Sequence, residues 1–206
     1  MLSLGREAAE AARFIWRSSV LRANTALSLV GQLSTPVVTS LTPALIFQRF
    51  AVGNTELGAA QFGAAEAAIA LGAVMGALCL PRFIPRWKKG QVILAGFGLY
   101  GVVLIALAYA QTFEVALVVF GFAGVVNVVF YVSNITLAQE VTPPELRARV
   151  FGTRIALLNL SWLPVILVSG ALADVLGVAL LVALAGLLTF ATAIVGAFIP
   201  VVRDVP

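Results

Sequence analysis

The 206-residue sequence contains no histidine and a single cysteine, Cys79. Without histidine there is no Ser-His dyad or triad, no bis-histidine haem ligation and no HExxH zinc hydrolase. One cysteine cannot close an internal disulfide or build a cysteine/histidine zinc site. Charge is scarce too: Asp, Glu, Lys and Arg make up 11% of the chain, against about 25% in soluble domains. What is abundant is apolar surface, 61% of residues with a mean hydropathy of +1.06. A soluble domain of this size still needs a largely wetted, charged exterior. The surplus therefore faces lipid. The chain reads as an integral membrane protein and not an enzyme, with no metal and no cofactor expected.

Charge-free runs cover residues 23–48, 90–113, 115–139, 155–173 and 175–202, and only Glu66 interrupts 57–81. Each run is near or above the roughly 20 residues a helix needs to cross a bilayer. None shows the short alternation of a barrel strand. The expectation is an all-α membrane protein with six transmembrane helices, at 23–47, 57–80, 91–110, 115–139, 151–173 and 178–200. Residues 1–22 read as a cytoplasmic interfacial helix, 23–202 as the six-helix transmembrane bundle and 203–206 as a cytoplasmic tail. In the first of these, Arg6, Glu10, Arg13 and Arg17 follow helical spacing beside Phe14, Ile15 and Trp16, which suits a membrane interface. Glu7, Glu10 and the missing apolar stretch argue against a signal peptide.

Orientation follows from the distribution of cations. With the N-terminus inside, Arg49 is the one Lys or Arg of thirteen on the outer side. Both termini are therefore expected in the cytoplasm, in a multi-pass protein of the cell (inner or plasma) membrane. The basic cluster from Pro81 to Lys89 reads as an anchor at anionic lipid rather than a nucleic-acid site.

Polar residues are shared unevenly among the spans. The first carries Asn24, Ser28, Gln32, Thr35, Thr39 and Thr42, and the fourth carries Asn127, Tyr131, Asn134 and Gln139. Spacing by three or four puts the first set, and Asn127, Tyr131 and Asn134 of the second, on one helical face each, with Gln139 beyond. Such faces either hydrogen-bond to other helices or line a wet cavity. Two full stripes favour the cavity, with Gln32, Thr35, Thr39, Asn127, Tyr131 and Asn134 toward a small-molecule substrate. The apolar third and sixth spans are then expected outermost, against lipid. The gradation from polar to apolar runs twice, and Gly76-Ala77-Leu78 has a counterpart in Gly170-Ala171-Leu172. Three helices is an odd number, so the two repeats must be inverted, an arrangement common in secondary transporters. Pro36, Pro43 and Pro164 should bend their helices, and Gly72 with Gly76 suits close packing.

The segment Val141-Thr142-Pro143-Pro144-Glu145-Leu146-Arg147-Ala148-Arg149-Val150-Phe151 resembles a cytoplasmic loop of major facilitator superfamily transporters. It is most similar to the drug and siderophore exporter branch. Leu57-Gly58 through Leu78, and Ser169 through Gly177, agree with it. The resemblance spans the chain but corresponds to the C-terminal six-helix half of a twelve-helix fold. It implies an alternating-access exporter of amphipathic small molecules whose first and fourth spans line the cavity. It also marks Glu145, Arg147 and Arg149 as the cytoplasmic loop motif. One departure stands out: Leu80 occupies the acidic position of the family's other loop signature.

Glu66 is the one acidic residue well inside a span, about 14 Å from the outer end at the helical rise. A charge at that depth is costly, which makes Glu66 the candidate for proton coupling. The partners expected are the lipid bilayer, a small-molecule substrate, protons, and a second six-helix bundle, either a missing N-terminal half or a second copy. The alternatives are a transport-inactive membrane scaffold or a truncated half-transporter. A channel would need a carbonyl filter or charged pore ring, and neither motif is present.

Overall fold

Lipid offers no partner for a backbone N–H or C=O, so each apolar run must satisfy its own backbone. Each run does so as a helix. The computed structural model describes residues 2–83 and 87–205. In chain order the helices are α1 (Leu2–Arg17), α2 (Ser19–Gly31), α3 (Ser34–Arg49), α4 (Thr55–Phe83), α5 (Lys89–Ala108), α6 (Phe113–Glu140), α7 (Arg147–Leu176), α8 (Val178–Ala197) and α9 (Pro200–Arg203). A 3₁₀ turn at Pro144–Leu146 leads into α7. Six stretches are long and apolar enough to cross a membrane, α2 and α3 together forming the first. Part of the basic cluster, Ile84 to Arg86, lies outside the described residues.

Local sequence sets the boundaries. Ser18 caps α2 by accepting from the Leu21 N–H, Asn54 caps α4 through Leu57 N–H, and Thr112 caps α6 through Val115 N–H. Each such cap stabilises a helix by about 1 kcal/mol. Gly177, at φ +83°, turns α7 into α8 in a single residue, a conformation glycine adopts without a Cβ penalty.

The first span is not the continuous helix expected. It breaks at Gln32–Leu33 because Pro36 has no N–H to give the Gln32 carbonyl. The break is held from outside: the Thr189 hydroxyl of α8 lies 3.0 Å from the Gly31 carbonyl and 2.8 Å from Ser34 Oγ. Pro43 and Pro164, by contrast, lie within unbroken helices.

The third and sixth spans meet backbone to backbone. A Cβ on Gly101 would stand 2.5 Å from the Gly186 carbonyl, and one on Gly186 would stand 2.7 Å from the Gly101 carbonyl. The second and fourth spans meet the same way, since Cβ atoms on Gly72 and Gly124 would run into the carbonyls of Gly121 and Ile69. Around these seams the order of pairing repeats, although not its tightness: α4 packs closely on α6 where α7 packs loosely on α3, and α5 packs on α6 where α8 packs on the first span. Exchanging the halves swaps an upward helix for a downward one, so the fold is two inverted three-helix repeats. One expectation is corrected here. The third span, α5, is the most enclosed of the six, and the spans left barest are the second and fifth, α4 and α7.

Charge pairs gather at the end where the Lys and Arg residues lie. Lys88 pairs with Asp204 at 3.1 Å, Lys89 with Glu140 at 2.8 Å and Arg203 with Asp204 at 2.9 Å. Hydrogen bonds from Arg203 first and then Lys88 hold the Asp204 carboxyl below its ordinary range. At the opposite end Arg49 donates to the Ala108 carbonyl. A cation at a helix C-terminus is favourably placed, which accounts for the one arginine on that side.

The seams predict a sharp contrast between glycines. Gly72→Ala and Gly124→Ala should each destabilise by about 1–3 kcal/mol through overpacking. Gly63→Ala, on the same α4 with open space around it, should leave the melting temperature unchanged or slightly raised. Thermal unfolding in detergent compares the three.

Candidate functional site

The break after Gly31 divides the polar face of the first span into two parts with different surroundings. On α2, Asn24 and Ser28 are buried and meet Asn134 of α6, which in turn meets Arg154 of α7. Asn134 is the hub. Its Nδ2 donates to Ser28 Oγ at 2.9 Å and to Asn24 Oδ1 at 3.4 Å. Its Oδ1 accepts from Arg154 Nη2 at 2.9 Å and from Asn24 Nδ2 at 3.4 Å. Arginine has donors only, so the amide oxygen of Asn134 must face the guanidinium.

On α3 the face is open. Thr35 is half-buried and Thr39 exposed, with the Thr39 hydroxyl donating back to the carbonyls of Thr35 at 3.0 Å and Pro36 at 3.3 Å. Thr42 is buried and donates to the Val38 carbonyl at 2.7 Å. Gln32, in the break itself, is half-buried. On α6, Asn127 is half-buried and engages the Tyr100 hydroxyl, while Tyr131 is 50% exposed. Five of the six expected cavity residues therefore keep access to the surface of the bundle. Asn134 does not, because its amide is used up inside.

Glu66 is exposed on α4 and makes no hydrogen bond or ion pair among the described residues. Two further polar atoms, Gln61 Oε1 on α4 and Trp162 Nε1 on α7, are buried without partners. Arg154 was not among the expected cavity residues. The available signal was its position, seven residues beyond Arg147 and deeper in its span than any other cation.

The loop motif separates into distinct jobs. Arg147 Nε donates to the Thr142 carbonyl at 3.2 Å, clamping the loop to the end of α6. Arg149 reaches α1, pairing with Glu10 at 2.9 Å and Glu7 at 3.5 Å. Glu145 is exposed in the 3₁₀ turn. Below these pairs Ala11, Ile15 and Leu21 pack with Val150 and Ala138, so α1 is docked by both charge and apolar contact. Its exposed edge carries Trp16, with the Arg22 guanidinium 5.7 Å from the ring centroid.

Exposed ion pairs contribute little singly, so Arg149→Gln should loosen α1 rather than unfold the bundle. With Cys79 replaced by Ser, a cysteine at Ala11 should label slowly with maleimide, and several-fold faster once Arg149→Gln is added. Equal rates would show that apolar packing alone holds α1.

A family model described as Major Facilitator Superfamily matches residues 7–206. The uncharacterized MFS-type transporter YfmI of Bacillus subtilis (strain 168) is 26% identical over 141 residues, 68% of this chain. That match covers 35% of the relative, so the chain spans about a third of its length. Six apolar helices paired as inverted repeats, with a family match running almost from end to end, place the chain in the major facilitator superfamily of membrane transporters.

Proposed function

We propose that the chain is one six-helix wall, of the C-terminal type, of a secondary active exporter that works by alternating access. The observation that carries this reading is the open polar face. Thr35 and Thr39 on α3, and Asn127 and Tyr131 on α6, keep polar groups accessible within the spans. Polar side chains at that depth need water, substrate or another helix opposite. A second six-helix bundle supplies the facing wall, as an N-terminal half or as a second copy. It rests against α4 and α7, the spans this chain leaves barest. The drug and siderophore branch resembled by the loop after α6 points to amphipathic small molecules as substrate. The cation bias supports both termini on the cytoplasmic side, and an exporter of this kind would work in the cell membrane.

Glu66 is the proton carrier in this reading. It is an unpaired carboxylate on a bare span, facing where the second wall would stand, and it can be neutralised by one proton. In inside-out vesicles, Glu66→Gln is expected to abolish pH-gradient-driven uptake of an amphipathic dye at unchanged protein level. Wild-type uptake by the variant would remove Glu66 from coupling. Native mass spectrometry after gentle extraction tests the second wall separately. A dimer, or a complex with another six-helix chain, is the expected result, and a monomer that transports alone would overturn it.

A further inference from the structure

Arg154 is a buried cation with no counter-charge among the described residues. It is 5% exposed, and among the described residues its Nε has no partner and its one hydrogen bond goes to the neutral Asn134. The chain has nine carboxylates. Four of them, Glu7, Glu10, Glu140 and Asp204, are engaged by Arg149, Lys89, Lys88 and Arg203. The other five are exposed, and none pairs with Arg154. An arginine cannot shed its proton, and a buried unpaired charge is strongly destabilising. Yet the surroundings are built to keep it. Asn24, Ser28 and Asn134, from two other helices, fix the one acceptor that faces the guanidinium.

We propose that Arg154 is the receptor for an oxyanion, a carboxylate or phosphate group borne by the transported molecule. The proposal deepens the transport reading above and rests on it by naming the substrate class. The guanidinium fork matches a planar or tetrahedral oxyanion with two parallel hydrogen bonds. From Asn134, residues Tyr131 and Asn127 continue along α6 for one and two helical turns. An amphiphile whose anionic end meets Arg154 can therefore lay its uncharged body along that accessible face. Access comes through α7, the span its neighbours cover least. A small parting of α7 from α2 uncovers the guanidinium without disturbing the glycine seams, which lie on other helices.

The test is binding, not transport. The purified protein, with any partner it carries from the membrane, is titrated with benzoate and with inorganic phosphate. Sodium chloride at matched ionic strength is the reference, and thermal unfolding is followed by tryptophan fluorescence. A saturable rise in melting temperature beyond that of chloride is expected. A response to benzoate alone assigns a carboxylate, and a response to phosphate alone assigns a phosphate. The apparent affinity should fall at least tenfold in Arg154→Gln and less in Arg154→Lys, which keeps the charge and loses the fork. Asn134→Asp guards against variants that fail to fold. It sets a carboxylate against the guanidinium, so it should raise the melting temperature without ligand and abolish the oxyanion response. An Asn134→Asp protein that is less stable and still responds would overturn the proposal. So would an undiminished response in Arg154→Gln, or chloride acting as well as the oxyanions. A wild-type protein that ignores both anions would overturn it too, the counter-charge then arriving on another chain. Because no flux is measured, failure of proton-coupled export would leave a positive binding result standing, and loss of the binding result would leave export intact.

Discussion

Helices in lipid gain nothing hydrophobic by touching, because a hydrocarbon tail is as apolar as a leucine. What holds this bundle is how closely its backbones approach, and glycine sets that distance. Gly101 and Gly186 let α5 and α8 meet main chain to main chain, and Gly72 with Gly124 does the same for α4 and α6. Neither seam has room for a Cβ. The α5–α8 pair then carries Thr189 close enough to serve the broken first span at Gly31 and Ser34. A break in a membrane helix needs such an external partner. The unbroken sixth span thus stabilises the discontinuity in the first.

The same seams decide what stays open. With α5 and α8 sheltering one another, α6 is covered on one side by α4 and α5 while keeping Tyr131 exposed. The first span is covered by α8 and α7, the latter linked through Ser40 and Ser169 at 3.0 Å, while Thr39 stays exposed. Two-fold exchange of the repeats maps one arrangement onto the other. The open polar positions on the first and fourth spans, and the bare flanks on α4 and α7, therefore follow from one order of pairing used twice, tight at α4–α6 and looser at α7–α3.

The spans were legible because charge is excluded from hydrocarbon, so most of the cations and carboxylates, Glu66 and Arg154 apart, mark the ends of the spans and the gaps between them. The close-packing role of Gly72 and Gly76 was legible for a similar reason, as small residues one turn apart have few other uses on an apolar helix. Other features were out of reach. Hydropathy assigned α5 and α8 to lipid, but an apolar side chain has nearly the same energy against lipid as against another helix, so composition cannot separate outermost from enclosed. Pro36 announced a bend, but not a full break held by Thr189 from more than 150 residues away. Helical spacing gave Asn127, Tyr131 and Asn134 one face. It could not say that the last of them would be turned into the bundle by Asn24, Ser28 and Arg154.

The two charges within the flanking spans are handled in opposite ways, and donor chemistry explains why. A carboxylate can be neutralised by a single proton, which is why the proposed coupling role falls to Glu66, exposed on a bare span. A guanidinium has no such escape, so Arg154 must stay inside a polar network whenever no anion is present. Asn134 provides that network by turning its oxygen toward the cation. The two groups start from opposite ends of the bundle, Glu66 eleven residues into α4 and Arg154 seven into α7, with α6 and the first span between those helices. Direct pairing is therefore closed to them. In the proposed cycle, any linkage between proton and substrate must run through the position of the helices, with α4 fastened to α6 by its glycine seam and α7 the span its neighbours cover least. The proposed reading thus has one group that a proton can neutralise and one that keeps its charge, on two spans that do not pack on each other closely.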